Sequence, residues 1–358
     1  MKITTQAIAD LAGVSRATVD KVIHNRSGVS KATRDKIKNI ILETNYQPVH
    51  IRKHFREESQ QIKIAVIMPE LQENFMINLK SGMDSSLLEY QPYGLRIDYY
   101  HCNSYEPQPL IAILEHLKSS PVDGIALRGI KDEQIINLIG YFIDINIPVF
   151  TFDADLPESK RISFVGEDLY STGRMGASLL CKSIGYEGKI ALLVGGMNVD
   201  TSARRIEGFK SYLDESAPNV EIVAIEETLS QRIITYQKTA QLLEKYPDLK
   251  GIWNAVSHSE DMAQAVIDAG KQQKVRLGSL IFSPEVMRLV KENIIDHTIG
   301  LTPYKMGKIV IKSLYEYLIS NVAPPSENIK TPIYIGIDAN IDMFIDDMIS
   351  DDMINDFK

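Results

Sequence analysis

The residues best suited to chemistry lie near the start of the chain, in the stretch GVSRATVDKVIHNRSGVS from Gly13 to Ser30. Its reactive-looking side chains are hydroxyls, a carboxamide and cations: Ser15, Arg16, Thr18, Lys21 and Asn25, with Thr5 before them and Thr33 after. No nucleophile here is paired with a base. What these groups do well is donate hydrogen bonds to phosphate oxygens and base edges. The charge distribution agrees. Residues 1–60 carry eleven Lys and Arg against six Asp and Glu, net +5, whereas the rest of the 358-residue chain is net −13. A basic head on an acidic body points to a polyanionic partner for the head alone.

The remainder offers little to an enzyme. There is no nucleophile elbow, phosphate-binding loop, His-Glu-x-x-His or paired-cysteine motif. Cys102 and Cys181 are far apart and have no metal-site spacing. Gly195-Gly196 follows an apolar run but lacks the G-x-G-x-x-G spacing. Binding without catalysis is expected, with no cofactor and no metal. No apolar run approaches the roughly 18 residues of a membrane span. MKITTQAIADLAG has no export-type apolar core, so a cytoplasmic location is expected.

The elements that must position the head follow from its pattern. Thr5 to Ala12 reads as a helix with Ile8, Ala9 and Leu11 on an apolar stripe and Thr5 as its cap. Gly13-Val14 makes a turn, and Ser15 caps a second helix, Arg16 to Asn25, whose Val19, Val22 and Ile23 point inward. Arg26-Ser27-Gly28 breaks it. Ser30 caps a third helix, Lys31 to Thr44, with Ile37, Ile40, Ile41 and Leu42. Helix, short glycine turn and basic second helix make a helix-turn-helix, whose second helix can enter a DNA major groove.

IADLAGVSRATVDKVIHNRSGVSKATRDKIKNIILETNYQP resembles the N-terminal domain of the LacI/GalR family of bacterial transcription regulators, through A-x-L-A-G-V-S, A-T-V, N-R, G-V-S-x-x-T-R and the closing Y-x-P. The resemblance implies base contacts from Arg16 and Ala17, with Lys21 further along the helix. It implies phosphate contacts from Thr5, Ser15, Thr18, Asn25 and Thr33. Asp20 replaces the family's usual Ser and is expected to pair with Lys21 rather than read bases. The segment VHIRKHFREESQQ stands where the family has a hinge helix. Arg52, Lys53 and Phe55 take the places of its small residue, basic residue and Leu, with Phe55 as a minor-groove wedge. A flexible linker is the alternative.

From Ile62 short apolar strands alternate with amphipathic stretches: 62–68, 95–100, 124–129, 148–152, 162–166, 189–196, 220–226, 251–256 and 275–281. Such alternation means parallel sheets wrapped by helices, and about 280 residues suit two of them with a cleft at the strand carboxyl ends. This body resembles the family's periplasmic-binding-protein-like effector domain (type I), the ribose-binding group in particular, through P-E-L-x-x-N-F, P-V-D-G-I, I-P-V-F-T-F-D, A-R-R-I-E-G-F and D-M-A-Q-A-V. The expected organisation is an all-α head at 1–47 and a hinge at 48–60. The two-lobed domain follows at 61–340, with lobe 1 about 61–165 plus 300–323 and lobe 2 about 166–299 plus 330–340. An acidic tail closes the chain at 341–358. The resemblance implies a homodimer on a near-palindromic operator, with a tetramer as the alternative.

For the effector, Glu73, Phe75 and Met76 are expected on one wall and Asp153 at a polar strand end. Arg128, Arg204, Arg205, Asn254 and His258 complete the set. Ala154, Ala203, Ser279 to Ile281 and Leu301 replace groups common among the sugar binders. The arginines therefore suggest a carbohydrate-like effector such as a sugar acid or phosphate, although Arg205 can instead pair with Glu207 or Asp200. Trp253 is expected in the core. The resulting function is a sequence-specific transcriptional regulator, a repressor, under allosteric control. The alternative is a ligand-independent regulator with a degenerate cleft.

Overall fold

The computed structural model describes residues 5–23, 28–43, 61–70, 74–103, 105–320 and 323–344. The head is three helices, α1 (Thr5–Ala12), α2 (Arg16–Ile23) and α3 (Lys31–Glu43). Gly13 turns the chain at φ +68, a left-handed conformation that costs glycine nothing sterically. Ser15 accepts from the Thr18 N–H at 3.1 Å and Ser30 from the Thr33 N–H at 3.2 Å, so both following helices are side-chain capped. Ile8, Ala9, Ala12, Val19, Val22 and Ile37 close the core. Two expectations change. Thr5 is the first helical residue, so its hydroxyl lies within the first turn. Leu11 is 59% exposed; the two-turn helix buries only the stripe of Ile8, Ala9 and Ala12, and Leu11 falls on its flank. Asn25, Thr44, the hinge residues Arg52, Lys53 and Phe55, and the tail beyond 344 lie outside the described residues.

The body forms two six-stranded sheets of the same order. Lobe 1 holds β1 (Ile62–Pro69), β2 (Leu95–Cys102), β3 (Gly124–Leu127), β4 (Val149–Phe152), β5 (Ser163–Gly166) and β11 (Asn328–Lys330), in the order β11-β5-β4-β3-β1-β2. Lobe 2 holds β6 (Gly188–Val194), β7 (Val220–Glu227), β8 (Leu249–Asn254), β9 (Arg276–Leu280), β10 (His297–Leu301) and β12 (Ile333–Gly336), in the order β12-β10-β9-β8-β6-β7. Every pairing is parallel except β10 with β12. The chain passes between lobes after β5, after β10 and between β11 and β12. The helices are α4 (Asn74–Tyr90), α5 (Pro107–Leu117), α6 (Glu133–Asp144), α7 (Leu169–Ile184), α8 (Asp200–Ser216), α9 (Arg232–Lys245), α10 (Ser259–Asp268), α11 (Pro284–Lys291) and α12 (Pro303–Ser320).

Local sequence explains these elements. Every residue of β3, β4 and β5 is buried, as strands covered on both faces require, and they read as near-continuous apolar runs. Asp132 caps α6 through the N–H groups of Gln134 and Ile135, and Ile135, Leu138, Ile139 and Phe142 form its buried stripe. Each lobe packs one helix pair on facing glycines. A Cβ at Gly82 of α4 would lie 2.0 Å from the Tyr304 carbonyl oxygen of α12, and one at Gly208 of α8 would lie 2.0 Å from the Tyr170 carbonyl oxygen of α7. Trp253 is fully buried against Phe209, 5.1 Å between ring centroids.

Candidate DNA-binding head and effector cleft

On the head, Arg16, Ala17 and Lys21 are exposed on one side of α2, opposite the buried Val19 and Val22. A helix-turn-helix offers such side chains to base edges. Thr18 and Thr33 are half-buried, and their hydroxyls share hydrogen bonds of 2.8 Å with Ser15 and Ser30 respectively. Each pair presents a hydroxyl couple at a helix start, where backbone N–H groups favour phosphate.

In the body, the loops at the carboxyl ends of β1, β2, β6 and β7 enclose a chamber of about 680 Å³ between the lobes. In both sheets these are the carboxyl ends of the edge strand and its neighbour, beside the β1/β3 and β6/β8 points where the strand order reverses, and ligands of open parallel sheets bind at the carboxyl ends of strands. Glu70, Met76, Asn103, Tyr105 and Glu106 contribute from lobe 1, and Asn198, Glu227, Ser230 and Gln231 from lobe 2. A smaller pocket of about 210 Å³ lies between Asn74 and Phe75 of lobe 1 and His258, Glu260 and Phe282 of lobe 2.

The sequence-predicted effector residues divide. Met76 lines the chamber, and Phe75 and His258 line the smaller pocket. Glu73 lies outside the described residues. The arginines, expected to meet an anionic ligand, are engaged by the protein itself. Arg128 Nε donates to Asp153 at 2.5 Å, with both side chains under one tenth exposed. Arg205 donates to Glu167, which also accepts from Thr172, and to the Ala255 carbonyl at 2.9 Å. Its partner is thus neither Glu207 nor Asp200, because α8 points it inward at the end of β5. Arg204 is on the outer surface, paired with Glu207 at 2.5 Å and lying over the Tyr170 ring. Asn254 is wholly buried and bonds to the Ser257 carbonyl and Ser259 hydroxyl, so it shapes the loop after β8.

A third buried pair went unnoticed in the sequence: Arg161 holds Asp155 through Nε and a terminal nitrogen, each at 2.5 Å. Asn198, past β6, lies at a strand end where the sequence already points, whereas the residues most plainly missed are Tyr105, Glu106, Glu227 and Ser230. Tyr105 and Glu106 sit just past β2, and Glu227 and Ser230 at the end of β7. The strand-end rule applied to edge strands β2 and β7 would have found them.

Electrostatics around the cleft are acidic. Among the described residues, no Lys or Arg lines the larger chamber. Burial, then the nearby Asp155 carboxylate, pushes the Asp200 carboxyl up to about 6. Cys102 lines the chamber, and burial raises its thiol to about 11, so it is not a thiolate nucleophile. Among the described residues, His258, Glu260 and Asp261 form the one group with metal-ligand proximity. Arg232 already occupies both Asp261 oxygens, at 3.0 and 3.2 Å.

A helix-turn-helix head and a two-lobed body with a ligand-sized interlobe chamber define a DNA-binding regulator with a ligand-binding domain. Over residues 64–321 the chain belongs to the periplasmic binding protein domain family, and residues 4–49 match the domain of the bacterial regulatory proteins of the lacI family. The chain is 25% identical over 325 residues to the ribose operon repressor of Bacillus subtilis (strain 168), covering 87% of this chain and 90% of that protein. It is 24% identical over 263 residues to the D-allose-binding periplasmic protein of Escherichia coli (strain K12), covering 70% and 83%. The solved glucose-galactose binding protein from Geobacillus stearothermophilus shares the fold, with TM-score 0.72 and 23% identity over 79% of this chain and 99% of that one. No helix among the described residues is long and apolar enough to cross a membrane.

Proposed function

We propose that this regulator is a non-catalytic cytoplasmic homodimer that represses from a near-palindromic operator and releases it when a small polyhydroxylated effector binds between the lobes. The observation that carries the reading is the pairing of an exposed, basic α2 with an interlobe chamber of about 680 Å³, within the range of small-molecule sites. In this reading Arg16 and Ala17 read bases, Lys21 supports them, and Thr5, Ser15, Thr18, Asn25 and Thr33 set the register on phosphates. The hinge residues Arg52, Lys53 and Phe55 follow the chain into the minor groove.

The lining refines the effector. Glu70, Glu106 and Glu227 face the chamber with Asn103, Asn198 and Gln231, and Arg128 and Arg205 are spent on carboxylates. Carboxylates and carboxamides accept from hydroxyl and ammonium groups and repel acids. The effector class is therefore a neutral or amine-bearing sugar, in place of the sugar acid or phosphate that the arginines suggest in sequence. The B. subtilis ribose operon repressor and the E. coli D-allose-binding protein carry neutral-sugar names, which supports the same class.

The test is fluorescence anisotropy of the full chain on a selected operator, titrated with neutral sugars, amino sugars and sugar acids. Release by a neutral or amino sugar supports the proposal; release by sugar acids alone contradicts the effector class. A second reading, ligand-independent regulation, is favoured by the three self-paired arginines, and predicts no response to any of them.

A further inference from the structure

Tyr105 joins the two lobes. It stands between β2 and α5 in lobe 1, and its hydroxyl shares a 2.7 Å hydrogen bond with Ser230 Oγ of lobe 2. Its carbonyl accepts from the Asn198 side-chain amide at 2.5 Å. Asn198 in turn accepts at its own carbonyl from the Lys131 N–H of lobe 1, at 2.9 Å. One lobe 1 side chain, two lobe 2 side chains and three backbone groups thus form a continuous set of contacts across the cleft.

Two features of lobe 2 fit this tyrosine. The first is the Gly195-Gly196 pair after β6, which matches no nucleotide-binding motif. A Cβ at Gly195 would lie 2.7 Å from the Tyr105 hydroxyl oxygen, and one at Gly196 would lie 2.7 Å from its Cδ1. Real side chains do not tolerate such approaches, so the two glycines form a cradle for the ring. The second is backbone strain. Leu229 and Ser230 are consecutive non-glycine residues at φ +51. Residues held in this conformation store strain that the surroundings must offset, and they cluster at clamps and switches. The strained pair is what presents the Ser230 hydroxyl to Tyr105. Arg128, fixed by Asp153, lies 5.8 Å from the ring centroid on the lobe 1 side.

We propose that Tyr105 is a built-in interlobe latch, seated on Gly195-Gly196 and locked by Ser230 and Asn198, that favours the closed arrangement of the lobes through protein contacts alone. The effector then acts on an equilibrium already biased toward closure, and its chamber shares Tyr105, Asn198 and Ser230 with the latch. That lobe arrangement sets operator affinity rests on the function proposed above; that the latch holds the lobes does not.

The test is a distance measurement on the effector-free full chain by pulsed electron paramagnetic resonance. Spin labels are placed at Asn137 on exposed α6 of lobe 1 and Ile233 on exposed α9 of lobe 2, with Cys102→Ala and Cys181→Ala to remove other thiols. The parent protein should give mainly one short distance. Tyr105→Phe and Ser230→Ala each remove the same hydrogen bond and should lower the closed-to-open ratio about 2- to 10-fold. Their double variant should lower it no further than either alone, as expected for one shared bond. Gly196→Ala, which crowds the ring seat, should open the lobes through a different contact, and so guards against misfolding of any one variant. A parent protein that is mainly open, or Tyr105→Phe and Gly196→Ala distributions matching the parent, would overturn the latch. Closure that follows the latch while operator affinity stays constant would leave the latch standing and refute only the proposed coupling.

Discussion

Asp153→Ala is the substitution whose cost the structure sets most directly. Asp153 and Arg128 are 9% and 8% exposed at their side chains and meet at 2.5 Å. Removing the carboxylate leaves a buried guanidinium without its charge partner, which costs about 3–5 kcal/mol. Asp153 also sits at φ +60, where a β-carbon without a local polar partner adds about 1–2 kcal/mol. Asp153→Asn keeps the shape and the tolerance of that conformation, so about half the loss is expected. Pairing Arg128→Met with Asp153→Asn removes both charges and should return stability to within about 1.5 kcal/mol of the parent, because replacing a whole buried pair is often neutral. The assay is urea denaturation of the body's transition at fixed protein concentration, read as a double-mutant cycle. An Asp153→Ala protein within about 1 kcal/mol of the parent would refute the claim that these charges depend on each other. It would also return Arg128 to the effector.

Three further outcomes follow from other sites. Gly82→Ala puts a Cβ 2.0 Å from the Tyr304 carbonyl oxygen and should cost about 3 kcal/mol or more, while Gly140→Ala in α6, with only Lys160 Cδ at 4.0 Å, should gain about 0.5–1 kcal/mol; equal denaturation midpoints would contradict the packing. Burial holds His297 neutral and pulls its imidazole down to about 4, so between pH 6.5 and 4 the unfolded chain binds one more proton than the folded one. Stability should therefore fall as pH drops through that window, by about 3 kcal/mol in all, and His297→Gln should remove that share of the slope; an unchanged slope would sink the assignment. On the head, Arg16→Ala should cost about 1–3 kcal/mol at one base pair per half-site, measured on a panel of single-substituted operators; a uniform loss across the panel would make Arg16 a phosphate contact.

Much of the fold was readable because period and burial coincide. Nine strands with long apolar runs, such as Ile62–Pro69 and Gly188–Val194, appear within a residue or two of their expected spans. Those not seen, His297–Leu301, Asn328–Lys330 and Ile333–Gly336, are three to five residues long; Thr298, Asn328 and Lys330 blur the pattern of the first two, and the third is a four-residue strand at a sheet edge. Capping of α2 and α3 by Ser15 and Ser30 was legible because Ser before a helix has one local use. The effector arginines were not. Whether Arg205 meets a ligand or Glu167 depends on a contact spanning 38 residues, which no local spacing encodes. Tyr105 escaped for the same reason: its partners Ser230 and Asn198 lie in the other lobe.

The central claim is that α2 reads DNA sequence. The most direct measurement is selection of bound duplexes from a randomised pool by the full chain, beside its Arg16→Ala variant. The account predicts enrichment of one near-palindromic site by the parent, and relaxed preference at one symmetric base pair per half-site in the variant. Recovery of sequences no different from the input pool, by a folded parent protein, would contradict it.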